Sequence, residues 1–177
     1  MRKHSVTIVV IVMLTMMAYG AALGFATITL VNPWGPALAC LALAVVSYPL
    51  AARLWRRVVG SRFGWLPPLC HVVLATGVAM ALFYALNFCF VSKSSLHTER
   101  AVVERLYTET HHRSKRVGRN RYVKGEPYKV YYMEVSLPGG WRKPIHLDRA
   151  RYSATHLGDT IAIPVGRGLF GLSVIKR

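Results

Sequence analysis

No aspartate or glutamate occurs before Glu99, and no cysteine occurs after Cys89. Ninety leading residues without a carboxylate cannot make the mixed-charge surface of a soluble domain. The lack of late cysteines excludes a disulfide framework or a cysteine-based metal site in the second half of the chain. The signatures of common chemistries are also missing: there is no P-loop, no dinucleotide fingerprint, no HExxH and no nucleophile elbow around Ser136, Ser153 or Ser173. Asp148 and Asp159 read as turn residues rather than as a catalytic carboxylate pair. His97, His111, His112, His146 and His156 lack metal-ligand spacing, because the adjacent His111 and His112 would point to opposite faces of a strand. Catalysis is therefore not expected, and no cofactor or metal is implied.

What the first half does contain is three long apolar stretches, at residues 5–31, 37–54 and 66–91. A hydrocarbon core of about 30 Å needs about 20 residues of helix, and the expectation is three transmembrane helices. Asn32-Pro33-Trp34-Gly35-Pro36 breaks the first from the second, Pro49 sits inside the second, and Trp65 with Pro67-Pro68 opens the third. A cleavable leader is an alternative reading of the first stretch, since Ala18, Gly20 and Ala21 follow its basic start, but apolar character continues well beyond them. Arg2, Lys3, Arg53, Arg56, Arg57 and Arg62 fall on one side of the three spans, whereas the first loop is uncharged. By the positive-inside rule the N-terminus is expected inside and the C-terminal domain outside the cytoplasm.

Polar side chains within the spans are few. His71 and Asn87 read as groups that cap or bridge helices, and Thr15, Thr27 and Thr29 as residues bonded to their own backbone. Gly20 and Gly24 form a small-xxx-small pair suited to close helix packing, within the chain or between copies, as do Ala75, Gly77 and Ala79.

The second half, residues 93–177, carries seventeen of the twenty-three Lys and Arg against all seven acids, a net charge of +10. Its β-rich runs predict about five strands, at residues 101–110, 128–137, 141–147, 160–165 and 169–175, with a short helix-compatible stretch at 149–157. Such a pattern fits a small all-β domain of the OB or SH3 barrel kind after a transmembrane region of residues 1–92.

Gly158-Asp159, the alternating Ile161 and Ile163, and then Gly166, Gly168 and Gly171 resemble the closing hairpin of small barrels in bacterial membrane proteins. The same residues resemble, less closely, the membrane-anchored OB domains of the NfeD-like family. This resemblance implies a barrel and a bacterial envelope location, and it carries no functional residue across.

Arg113, Lys115, Arg116, Arg119, Arg121 and Lys124 place six cations in twelve residues with no acid among them. The stretch reads as a solvated loop inserted between strands and as the candidate site for an anionic envelope component or a protein partner. Tyr107, Tyr122, Tyr128, Tyr131, Tyr132, Trp141 and Tyr152 supply aromatic surface of the kind that also stacks nucleobases. Nucleic acid would require the domain to face the cytoplasm, against the charge asymmetry of the spans. The function expected is thus a non-catalytic integral membrane protein that presents a basic β-barrel, with homo-oligomers open through Gly20 and Gly24. A cytoplasmic reader of anionic lipid or nucleic acid is the alternative, and an envelope enzyme with an unrecognised site the third.

Overall fold

The computed structural model describes residues 2–59, 64–119 and 121–176. Three helices, α1 (Arg2–Ile28), α2 (Trp34–Val59) and α3 (Leu66–Cys89), correspond to the three apolar stretches. Each is long and apolar enough to cross a membrane, with mean hydropathies of 2.3, 1.8 and 2.0. Pro49 is accommodated inside α2, and Pro67-Pro68 begin α3, where their missing N–H groups would have had no helical partner. Of the basic residues that set the expected orientation, Arg62 lies outside the described residues.

Six strands follow in the ladder order β1-β6-β5-β2-β3-β4. They are β1 (Thr29–Leu30), β2 (His97–Gly118), β3 (Arg121–Leu137), β4 (Trp141–Leu147), β5 (Thr160–Arg167) and β6 (Ser173–Ile175), and the short helix α4 (Arg149–Ala154) precedes β5. Two points correct the sequence reading. The strand count is six rather than five, because the two residues after α1 pair with the end of the chain, Thr29 opposite Val174 and Leu30 opposite Ser173. The basic stretch is not a loop: β2 and β3 run through it as paired strands up to Gly118 and Arg121.

The chain divides into two compact units. The first comprises residues 1–96 and 165–177, so the last thirteen residues fold with the helices. Within it Gly77 receives the ring of Tyr19, which would lie 2.8 Å from an added Cβ, and Tyr84 is completely buried. Close approach at a small residue is how helices gain contact in hydrocarbon, where apolar surface is not driven out of water.

The second unit comprises residues 97–164. Its centre is β3, antiparallel to β2 on one side and to β4 on the other. Gly139 and Gly140, both at positive φ (+92° and +79°), make the tight turn from β3 to β4. Strand alternation then sorts the two faces. Val103, Val135, Met133, Leu137 and Leu147 are buried on the inner face, while Tyr107, Tyr132 and His146 stand in register on the outer one. The α4 helix is capped by the Asp148 carboxylate, which accepts from the Arg151 N–H at 2.7 Å, and it brings Tyr152 against Tyr131 with ring centroids 4.9 Å apart. The backbone groups of Val103 bond with both Gly158 and Asp159 at 2.9 Å, which ties the approach to β5 to β2.

Candidate functional site

The six cations expected as a site lie on the distal part of the β2–β3 hairpin. Every described residue from 108 to 119 is exposed, and so are 121–124 and 126–129. Both faces of the ribbon therefore meet solvent. At about 3.3 Å per residue, the eleven residues 108–118 of β2 extend roughly 36 Å. A two-stranded ribbon without a core is marginal by itself, so its register has to avoid direct repulsion.

It does so at every paired position. Lys124 lies opposite Ser114, Lys115 opposite Val123, Arg116 opposite Tyr122 and Arg121 opposite Gly118. No cation faces another across the ladder at these pairs. Arg113 falls at a bulge between the pairs His112↔Pro127 and Ser114↔Lys124. Residues directly opposite share a face, so Ser114, Arg116, Tyr122 and Lys124 lie on one side, and Lys115 and Val123 on the other.

Arg116 has a second task. Its guanidinium donates to the Gly118 carbonyl at 3.0 Å and to the Arg119 carbonyl at 2.8 Å, fastening the turn at the tip. The remaining five cations make no ion pair with Asp or Glu among the described contacts; the carboxylates that do pair, Glu99, Glu104, Glu109, Asp148 and Asp159, bind His97, Arg142, His111, Arg151 and His156 instead.

The tip also carries exposed apolar groups. Val117, Tyr122 and Val123 are 57%, 62% and 43% exposed. The charge pattern marks the arginines and lysines, and a stretch read as a loop gives Val117 and Val123 no distinguishing signal. Val117 carries a signal only once the bulge between Arg116 and Gly118 is known, because it has no partner across the ladder.

The aromatic residues are mostly used within the sheet. Tyr107 and Tyr132 stack on each other at 5.3 Å, His146 meets Tyr132 edge-on, and His111 leans on Tyr128. These are cross-strand pairs whose rings contact one another within the sheet. Burial pushes the Tyr107 phenol up, and Glu109 and Glu134 add to that by like-charge repulsion of the phenolate. Among the described residues no three His, Cys, Asp or Glu side chains come together in a way that would hold a metal ion.

In the helical unit, the two polar residues read as bridges have well-defined partners. The Trp55 indole N–H donates to His71 Nδ1 at 2.8 Å. An indole only donates, so Nδ1 accepts and the ring proton sits on Nε2, directed at Ser47 Oγ 3.1 Å away. The Ser47 hydroxyl in turn donates to the Ala44 carbonyl at 3.0 Å. His71 thus joins α2 to α3 as a neutral imidazole with both nitrogens occupied.

Asn87, fully buried, holds the other end of α3. Its side-chain amide donates to the Leu172 carbonyl at 3.2 Å and its side-chain carbonyl accepts from the Phe170 N–H at 3.0 Å, so it clasps the turn between β5 and β6. Gly168 lies so close that a Cβ there would collide with the Asn87 main chain and side chain. Phe170 stacks on Phe83 at 4.6 Å, and Lys176 donates to the Phe88 carbonyl at 3.1 Å with its ammonium over the Phe88 ring. Nothing in the sequence pattern links residue 87 to residues 170 and 172. By contrast, among the described residues no atom outside its own helix lies within 4 Å of a Cβ built at Gly20 or at Gly24.

No family model matches the chain, and neither the curated proteins nor the solved structures contain a match to it.

Proposed function

We propose that the chain is a non-catalytic integral membrane protein that presents a basic β domain, of the OB or SH3 barrel kind, outside the cytoplasm of a bacterial cell. There the β2–β3 ribbon captures an anionic envelope component. The observation that carries this reading is a two-stranded ribbon open to solvent on both faces, with six cations and no acid between residues 110 and 125. Cations fixed on a preformed scaffold attract phosphate or carboxylate at about 1 kcal/mol each near an anionic surface. Outward orientation is supported by the six basic residues around the other ends of the spans.

Two measurements test the reading. A reporter fused after Arg177 is expected to be active outside the cytoplasm; activity only in the cytoplasm overturns the orientation and leaves the cytoplasmic reader of lipid or nucleic acid in its place. The purified full-length chain is also expected to bind a soluble polyanion such as heparin, and the combination Arg113→Glu, Lys115→Glu, Lys124→Glu to abolish that binding. These three positions leave the Arg116 turn fastening intact. Undiminished binding by that variant removes the ribbon from the function.

A further inference from the structure

We infer that the anionic partner of the ribbon is a lipid bilayer, and that the hairpin tip enters its interfacial zone end-on. This rests on the reading that the ribbon captures an anionic component, and it names that component as phosphate-bearing headgroups.

Val117, Tyr122 and Val123 are the large apolar residues exposed on the cationic part of the ribbon, and they fall within seven consecutive positions at its tip. Arg119 and Arg121 lie within the same stretch, and Arg116 immediately precedes it. Exposed valines cost solvation in water and gain nothing from a phosphate or a sugar hydroxyl. They do gain from the boundary between headgroups and acyl chains, where a tyrosine also places its ring in an apolar layer and its hydroxyl in a wet one.

The distribution across faces points the same way. Tyr122 and Val123 lie on opposite sides of the ribbon, and each side carries cations, Arg116 and Lys124 on one and Lys115 on the other. A flat protein surface is met by one face of a ribbon, and the other face would keep its apolar group in water. Insertion by the end buries both. Arginine and lysine stems reach along such a boundary while their charges stay with the phosphates.

Part of the tip is also held from within. The Arg116 guanidinium holds the carbonyls of Gly118 and Arg119, so these two residues need not be fixed at the moment of docking. No carboxylate between residues 110 and 125 opposes approach to an anionic surface.

The test uses the full-length chain in nanodiscs of neutral phosphatidylcholine, titrated with vesicles of phosphatidylcholine alone or with a quarter phosphatidylglycerol, and separately with heparin and duplex DNA. The parent chain is expected to bind the anionic vesicles and to ignore the neutral ones. Neutralising Arg113, Lys115 and Lys124 to Gln is expected to weaken vesicle binding about a hundred-fold, from about 1 kcal/mol per charge. Val117→Ser with Tyr122→Ser and Val123→Ser is expected to weaken vesicle binding roughly tenfold and to leave heparin binding unchanged, while Tyr122→Phe with both valines intact binds as the parent does. An environment-sensitive dye on Val117→Cys, with Cys40, Cys70 and Cys89 replaced by Ala, should shift to the blue when anionic lipid is present in either bilayer. Vesicle binding that ignores the serine substitutions, or a dye that does not shift, overturns insertion while leaving anion capture standing. Binding to heparin or duplex DNA without binding to vesicles overturns the lipid assignment in the same way. Failure to bind any of the anionic probes overturns the capture reading as well.

Discussion

His71 and Asn87 are enclosed and bonded at each polar atom that the helices would otherwise hide from water, whereas the six cations of the β2–β3 ribbon stand in solvent with no ion pair to a carboxylate among the described residues. The solvent explains the contrast. In hydrocarbon an unmatched amide or imidazole costs several kcal/mol, so such a group persists where a partner is built for it. In water an exposed guanidinium is already satisfied, and leaving it unpaired costs the fold almost nothing. Polar groups of the first kind therefore bear on stability, and those of the second kind are available for binding.

Asn87→Ala should break this contrast most severely. It leaves the Phe170 N–H and the Leu172 carbonyl without their partner, and about 3 kcal/mol of stability should be lost. Thermal unfolding of the detergent-solubilised chain reads the loss, and limited proteolysis should show the C-terminal hairpin cut early. Gly168→Ala, which drives a methyl into Asn87, is expected to cost about 2 kcal/mol and to release the same hairpin.

His71→Leu comes next, at about 2 kcal/mol, since the Trp55 indole and Ser47 both lose a partner. Trp55→Phe should cost about half as much, because only one bond is lost and a ring remains in place. If the double variant costs no more than His71→Leu alone, the two side chains act as one unit.

At the small end, neutralising Arg113, Lys115 and Lys124 to Gln should change stability by less than about 0.5 kcal/mol, even as binding collapses. Unfolding with a large loss would show that the charges are part of the fold and would erase the difference between the two regions. Lys143 offers a weaker probe. It lies in register with buried Val135, and burial holds its ammonium below the ordinary 10.5. A lysine with a depressed folded value is destabilising while charged in both states. Stability contributed at this site should thus rise as pH climbs from the depressed value toward 10.5, and Lys143→Met should flatten that rise.

The helices were legible because a bilayer imposes a length and a composition that residues 5–31, 37–54 and 66–91 meet with no help from the rest of the chain. Residues 128–137 and 141–147 were legible for a similar local reason, a β-rich run ended by Pro138-Gly139-Gly140. The basic ribbon was read as a loop because six cations in twelve residues look like solvated chain. Its strand character depends on which residue each cation faces, and that is a property of the register rather than of the run itself. The cations and Tyr122 were visible in the sequence; Val117 and Val123 beside them were not, because exposure is decided only when nothing else packs there.

The sequence by itself determined three stretches long and apolar enough to cross a membrane, the positive balance of the second half and the absence of familiar catalytic patterns, since each follows from composition or from neighbours along the chain. Tertiary structure alone decided that Asn87 meets residues more than eighty positions away, that the end of the chain pairs with Thr29 and Leu30, and that each paired cation of the ribbon faces an uncharged residue. The physical reason is that hydrogen bonds and strand registers join groups by distance in space, and distance along the chain does not reveal it.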